Sequence, residues 1–395
     1  MGSDYMTSPF DDLLKPVDDH LIVHNELMSS MILGNRIRIH SAKNGIPDLD
    51  SVKIALLGIP ENRNSVHYLG DDLNLNEIRK SFYNLFPGNW TTKISDLGDL
   101  IIRDDVQETY GSLVTILTIL FKKNIIPILI GGSQDLIYSK YRAYDSIQNT
   151  VNIVNVDPNF DLGDSSKPIN NQSYFGRIIL DEPHNLFNYS NLGFQTFHNS
   201  QEEIDLMENL YFESYRLGEV TENIRIVEPI MRDADIVAID LKSVKASEVS
   251  SRQKFSPNGF DGKEICTISR YAGISNKVSS FGIYEYKSSS EDELTEMLIS
   301  QIIWYFIEGV NCRVQDGDFE NEDEYNKFNI MIEEYDLIFY NNKYTSRWWI
   351  EIFNDSSNTK LKQKTLLPCT KEDYESAKSG VIPERWYKAI KKNIV

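Results

Sequence analysis

Two strand-like runs, residues 125–135 and 151–161, pass from nearly unbroken apolar sequence straight into acids and amides. The first is Ile125-Ile126-Pro127-Ile128-Leu129-Ile130, followed by Gly131-Gly132-Ser133-Gln134-Asp135. The second is Val151-Asn152-Ile153-Val154-Asn155-Val156, followed by Asp157-Pro158-Asn159-Phe160-Asp161. A third run, Asp235-Ile236-Val237-Ala238-Ile239-Asp240-Leu241-Lys242, repeats the pattern. Apolar runs of this length, separated by helical segments, belong to parallel strands covered on both faces. Ligands of such sheets bind beyond the carboxyl ends of the strands, where these polar residues fall.

Strand and helix patterns alternate along the rest of the chain. Strand patterns recur at 52–59, 94–102 and 279–286, the last with Glu285 near its end. Helical spacing marks 75–85, 113–123, 223–234 and 291–308, with Asn124 and Gly309 as stop signals. The alternation predicts a three-layer α-β-α domain with a mainly parallel sheet over 51–310, preceded by an N-terminal extension over 1–50. After Gly309 the pattern changes. An acidic run at 316–324, a short helix, a β-hairpin over 337–352, a polar loop at 355–364 and a final helix near 383–392 make a small C-terminal α+β appendage, 311–395. The acidic run lacks the glycine and terminal glutamate of a calcium loop, so it reads as solvated.

Composition removes several functions. The net charge of −19 argues against sequence-independent nucleic-acid binding and against adhesion to anionic membranes. No apolar run approaches the ~20 residues that span a bilayer, and the start of the chain shows no signal-peptide pattern. Cys266, Cys312 and Cys369 are too scattered for a disulfide framework or a zinc site. A reducing, cytoplasmic compartment is expected.

Taken in order, the motifs resemble the ureohydrolase superfamily of arginase, agmatinase and formimidoylglutamase, over roughly residues 50–310. Gly58 and Ile78-Arg79 resemble its early glycine strand and Ile-Arg helix start, and Asp96-Leu97-Gly98-Asp99 its Asp-x-Gly-Asp. Residues 127–136 resemble Pro-x-x-x-Gly-Gly-Asp-His-Ser, 157–161 resemble Asp-Ala-His-x-Asp, and 238–245 resemble Ser-x-Asp-x-Asp-x-x-Asp. Pro257-Asn258-Gly259 stands for Pro-Gly-Gly, and Glu285 for a substrate-facing glutamate. The resemblance implies an arginase-like fold and, in the family, two Mn²⁺ ions bridged by a hydroxide that attacks an amidine carbon.

Carried over position by position, the ligand slots hold Gln134, Asp157, Asn159, Asp161, Asp240 and Lys242. Both histidines and one acid are replaced, and 170–174 lacks the family's proton-shuttling histidine. Asp157, Asp161 and Asp240 with Gln134 could hold at most one hard cation. At the other site Lys242 would repel a divalent ion and neutralise Asp157 and Asp240 instead. Read without function, these residues are a buried charge network. His20, His24, His40, His67, His184 and His198 all lie outside the three motifs.

The leading expectation is a noncatalytic ureohydrolase-like protein needing no cofactor, a binding or scaffold protein whose unidentified protein partner engages 311–395. The alternative is a formimidoylglutamase- or arginase-type hydrolase of linear amidines, with Mn²⁺ at a full or mononuclear centre. A third reading is a small-molecule sensor that keeps the old pocket, with Glu285 facing the ligand. Homo-oligomers, trimers or hexamers, are implied by the resemblance alone.

Overall fold

The computed structural model describes residues 9–68, 70, 73–148, 150–164, 166–249, 255–288, 293–352 and 365–394. Its main sheet has ten strands. Along the principal path they run Leu14–Lys15, Ile94–Leu100, Ile54–Ile59, Ile126–Gly131, Ser280–Tyr284, Ile236–Asp240, Val151–Val156, Leu186–Phe194 and Glu213–Arg216. Arg38–Ile39 also pairs with Ile94–Leu100, and every pairing is parallel except that of Leu14–Lys15. Two short strands of the N-terminal segment are thus part of this sheet. Side chains alternate between its faces. Ile54, Ile128, Ile130, Val154 and Val156 join the helices Asn76–Tyr83, Val227–Arg232, Gly262–Ile274 and Leu294–Asn311 in one core. Ala55, Leu57, Leu129, Val151 and Ile153 join Val106–Lys122, Leu136–Arg142 and Tyr174–Leu180 in the other. This is the three-layer arrangement the alternation predicts.

The helix expected at 113–123 begins earlier, at Val106, because Asp105 caps it by accepting from the Gln107 backbone N–H. Asn124, in the left-handed region at φ +56°, turns the chain out of it. The segment 223–234 splits into the 3-10 turn Ile224–Ile226 and the short helix Val227–Arg232.

Register brings the motifs to one edge. Ile283 lies opposite Ile130, Tyr284 opposite Asp240, and Val156 opposite Ile239. Gln134, Asp157, Asp240 and Glu285 therefore leave their strands at the same end. Two glycines hold this edge close-packed. A Cβ on Gly132 would lie 2.0 Å from the Glu61 carbonyl, and one on Gly98 (φ +78°) 2.0 Å from that of Lys15. Arg79 clamps its helix to Ile94–Leu100, with Nε 2.9 Å from Asp96, Nη1 2.7 Å from Asp99 and Nη2 donating to Gly98. The Ile78-Arg79 and Asp-x-Gly-Asp motifs are thus one buried clamp.

The C-terminal region departs from expectation. No helix follows the acidic run: Phe328, Ile330 and Ile332 alternate with the exposed Asn329 and Met331 in the strand Tyr325–Ile332, a period of two rather than 3.6. That strand extends the expected hairpin into a four-stranded antiparallel sheet with Tyr335–Asn342, Trp348–Ile352 and Thr365–Cys369. Two helices, Lys371–Lys378 and Glu384–Ile394, close the chain. The loop expected at 355–364 lies outside the described residues.

The small sheet docks on the main domain through buried cations. The Arg232 guanidinium donates to the carbonyls of Trp348 (3.1 Å) and Cys369 (3.3 Å) and stacks on Trp349. Arg385 binds Glu213 at 2.9 Å, and Lys392 donates to Asn188. Burial raises the Glu213 pKa, but the Arg385 and Lys392 charges more than offset this and hold it near 2. Its folded value lies below its unfolded one, so its stabilisation is present above the usual glutamate range and is lost as pH falls through about 2. Glu213→Gln is expected to cost about 3–5 kcal/mol near neutral pH, because it leaves the Arg385 charge with only the more distant Asp233, at 3.9 Å, as a carboxylate partner. In urea titrations across pH, the gap from wild type should narrow in acid. A constant gap would remove the lock from the stability of the fold.

Candidate functional site

Beyond the carboxyl edge of the main sheet, Gln134, Asp157, Asp161, Asp240, Lys242 and Glu285 form one cluster. Its four acids are 0–5% exposed. Such burial of carboxylates is costly unless each is paired, hydrogen-bonded or protonated.

Asp157 is held by donors. Its Oδ1 accepts from the Asn159 backbone N–H at 2.8 Å, and its Oδ2 from Asn155 Nδ2 at 3.0 Å and from the Gln134 amide. Gln134 leaves Oε1 without a hydrogen-bond partner among the described residues. Asn155 also donates to the Tyr174 and Tyr189 hydroxyls, which wall off the back of the cluster. The Asn159 side chain turns away and donates to the His198 carbonyl at 3.0 Å. Asp240 Oδ1 accepts from the Lys242 backbone N–H at 2.6 Å, while its Oδ2 lies 3.2 Å from Lys242 Nζ. One residue therefore grips both oxygens of Asp240. The same ammonium reaches Glu285 Oε2 at 3.5 Å. The other oxygen of Glu285 accepts from the Gln134 backbone and Asn171 Nδ2, each at 3.0 Å.

These contacts set the charge states. Burial raises the Asp157 pKa, and the Lys242 charge and the Gln134 hydrogen bond partly offset it. Burial, then the charge of Asp157, pushes Asp161 well above the usual carboxylate range. Asp240 is raised by burial against the pull of Lys242. Burial disfavours the Lys242 ammonium, but Asp240 and Glu285 hold it protonated well above the usual lysine range. Asp161 has a left-handed backbone (φ +53°) and an Oδ2 without a hydrogen-bond partner among the described residues.

A cleft of about 510 Å³ opens above Lys242 and Glu285, lined also by His67, Tyr68, His198 and Phe255. A second cavity of about 370 Å³, bordered by Asp161, shares Asn159, Gln172 and His198 with it. Glu285 is thus a buried acid at the cleft floor rather than a solvated strand end. His198 follows the strand Leu186–Phe194 and reaches the cleft, whereas His184 precedes that strand and lies at its far end. His40 is committed to the Leu97 carbonyl at 2.9 Å.

Sequence reasoning passed over Asn155 and gave Asn171 and Tyr174 no role. It set His67 and His198 outside the motifs, with His184 and His198 able to approach the site only through the fold; His198 does line the cleft. Asn155 left a signal, an amide at a buried position of a central strand. Asn171 and Tyr174 belong to a segment read only for its missing histidine. Lys242 has Asp240 and Glu285 as its ion-pair partners, while Asp157 is satisfied by amides. Asp135, in the same Gly-Gly segment, accepts from Ser133 and Tyr110 and is pushed up to about 6 by burial.

Hard cations need several converging free oxygens. Among the described residues, no group of three or more His, Cys, Asp or Glu side chains is arranged to hold a metal ion, and Asp157, Asp161 and Asp240 do not form one. With Asp157 engaged by three donors, Asn159 turned away and Lys242 pairing with Asp240, these residues do not fit a two-ion centre.

A titration prediction follows from Asp161. Its raised folded pKa favours the fold at low pH, and that contribution is lost as pH rises through the folded value. Asp161→Asn, which tolerates the left-handed backbone and cannot ionise, should add at least about 1 kcal/mol at about pH 8, with little gain at about pH 4. Denaturant melts at the two pH values check this. Equal gains at both would mean the Asp161 charge is not what strains the site.

No protein-family profile matches the sequence, and no curated protein matches it significantly. Solved structures do. Trypanosoma cruzi formiminoglutamase with Mn²⁺ aligns at TM-score 0.59 and 17% identity, over 68% of this chain and 96% of its own. Bacillus subtilis formimidoylglutamase aligns at 0.60 and 18%, over 70% and 97%. Thermoplasma volcanium agmatine ureohydrolase aligns at 0.57 and 17%, over 73% and 96%. This chain therefore has the arginase-like fold that these formimidoylglutamase and agmatine ureohydrolase structures share.

Proposed function

We propose that this chain is a noncatalytic ureohydrolase-like protein that binds a small molecule in the cleft above Lys242 and Glu285 without hydrolysing it. One observation carries the reading: Asp157, Asp240 and Glu285 beneath the cleft are already engaged by protein donors, while the cleft stays open. Activating a water for attack on an amidine carbon takes a lowered water pKa or a general base near neutrality. Asp157 is held by Gln134, Asn155 and the Asn159 backbone, and Asp240 and Glu285 share the Lys242 ammonium. None is placed as a free base. What remains is a floor with an ammonium beside a carboxylate and walls with Tyr68 and Phe255, which suits a polar head on a partly apolar body.

The hydrolase alternative draws support from the likeness to Mn²⁺-bearing formiminoglutamase, and a single experiment separates the two. Purified protein is incubated with Mn²⁺ and formimidoylglutamate, arginine or agmatine, and formamide and urea are measured. The same compounds are screened by thermal shift. The binding reading predicts no turnover and a ligand-dependent rise in stability, about 2.7 kcal/mol at a hundredfold excess over Kd. Steady release of formamide or urea would make the chain a hydrolase. A protein partner for 311–395 and a cytoplasmic location complete the proposal; exposed apolar residues there include Met331 on the strand Tyr325–Ile332 and Tyr344 in the turn after Tyr335–Asn342.

A further inference from the structure

We infer that Lys242 is a built-in counter-ion: its ammonium supplies inside the cluster the positive charge that a divalent metal would otherwise bring, and so bars such an ion from the site. Four carboxyl groups, Asp157, Asp161, Asp240 and Glu285, lie together at 0–5% exposure. Lys242 brings the cluster's one lysine charge, and its position is fixed twice over. Its backbone N–H binds Asp240 Oδ1 at 2.6 Å, and its Nζ sits 3.2 Å from Asp240 Oδ2 and 3.5 Å from Glu285 Oε2. An ion bridging these two acids would have to occupy the place of Nζ. Two like charges cannot share that place, and they repel even at the edge of a cleft where the Lys242 side chain is 24% exposed. The Gln134 amide gives its N–H to Asp157, and Asn159 gives its own to the His198 carbonyl. Gln134 Oε1 stays without a hydrogen-bond partner among the described residues, so the bar to a metal is the Lys242 charge and not a lack of amide oxygen.

The inference rests on the same site as the binding proposal but fails separately from it. Turnover without bound metal would overturn the functional reading and leave Lys242 as counter-ion. Stoichiometric metal in the wild type would overturn the counter-ion whether or not any ligand binds.

The test titrates Mn²⁺ alone into full-length wild type, Lys242→Asp, Lys242→Met and Lys242→Arg, following heat by calorimetry and the melting temperature. Wild type and Lys242→Arg, which keep the charge, should stay folded and indifferent to Mn²⁺. Lys242→Met and Lys242→Asp should melt lower without metal and recover on its addition, with at least about tenfold tighter Mn²⁺ binding than wild type. Wild type that binds Mn²⁺ as tightly as Lys242→Asp overturns the inference. So does a Lys242→Met protein that melts like wild type and ignores the ion. If neither charge-removing variant folds, Lys242→Arg decides: a folded, Mn²⁺-indifferent protein supports the counter-ion, and an arginine variant that binds Mn²⁺ or does not fold overturns it.

Discussion

The contact on which this site depends is the ammonium of Lys242 held between Asp240 and Glu285. Parallel strands deliver their polar ends to one edge, so the fold itself concentrates acids there, and the mutual repulsion of those acids must be answered. Here the answers are covalently attached to the chain. Lys242 supplies charge, Gln134 and Asn155 supply amide donors to Asp157, and Asp161 is pushed toward its protonated state. A carboxyl cluster balanced in this way carries its own counter-charge, with Gln134 Oε1 and Asp161 Oδ2 left as oxygens without hydrogen-bond partners among the described residues.

The same balance shapes the cleft. With Asp157 and Asp240 turned inward onto protein donors, the cleft presents the Lys242 ammonium, shared by Asp240 and Glu285, beside the Glu285 carboxylate, with Lys287 and aromatic and imidazole side chains also in its lining. Far from this floor, the C-terminal sheet is fixed to the main domain by Arg232, Arg385 and Lys392, which reach backbone carbonyls, Glu213 and Asn188. Cations thus serve two places in one strongly acidic chain, the cluster, where Lys242 stays partly exposed to the cleft, and the more deeply buried docking seam. In each, a removed cation would leave a buried carboxylate without its counter-charge.

Much of this was legible in the sequence because it depends on local pattern. Continuous apolar runs ending in acids gave the parallel strands and placed Gln134, Asp157, Asp240 and Lys242 at one edge. Ile78-Arg79 and Asp96-Leu97-Gly98-Asp99 marked the buried clamp. What escaped depends on side chains meeting across the fold. Nothing local tells that Lys242 reaches Glu285, that Asn171 turns toward the same carboxylate, or that His198 enters the cleft while His184 stays at the far end. The small C-terminal sheet was half read, since the hairpin has a strong alternation and the strand Tyr325–Ile332 hides its own behind an acidic lead-in.

The most direct measurement is anomalous scattering at the manganese edge from crystals of the wild-type protein grown with excess Mn²⁺. The built-in counter-ion predicts no manganese peak in the cluster, with Lys242 Nζ lying between Asp240 and Glu285. A manganese peak bridging Asp157 and Asp240, with Lys242 swung out into the cleft, would contradict it.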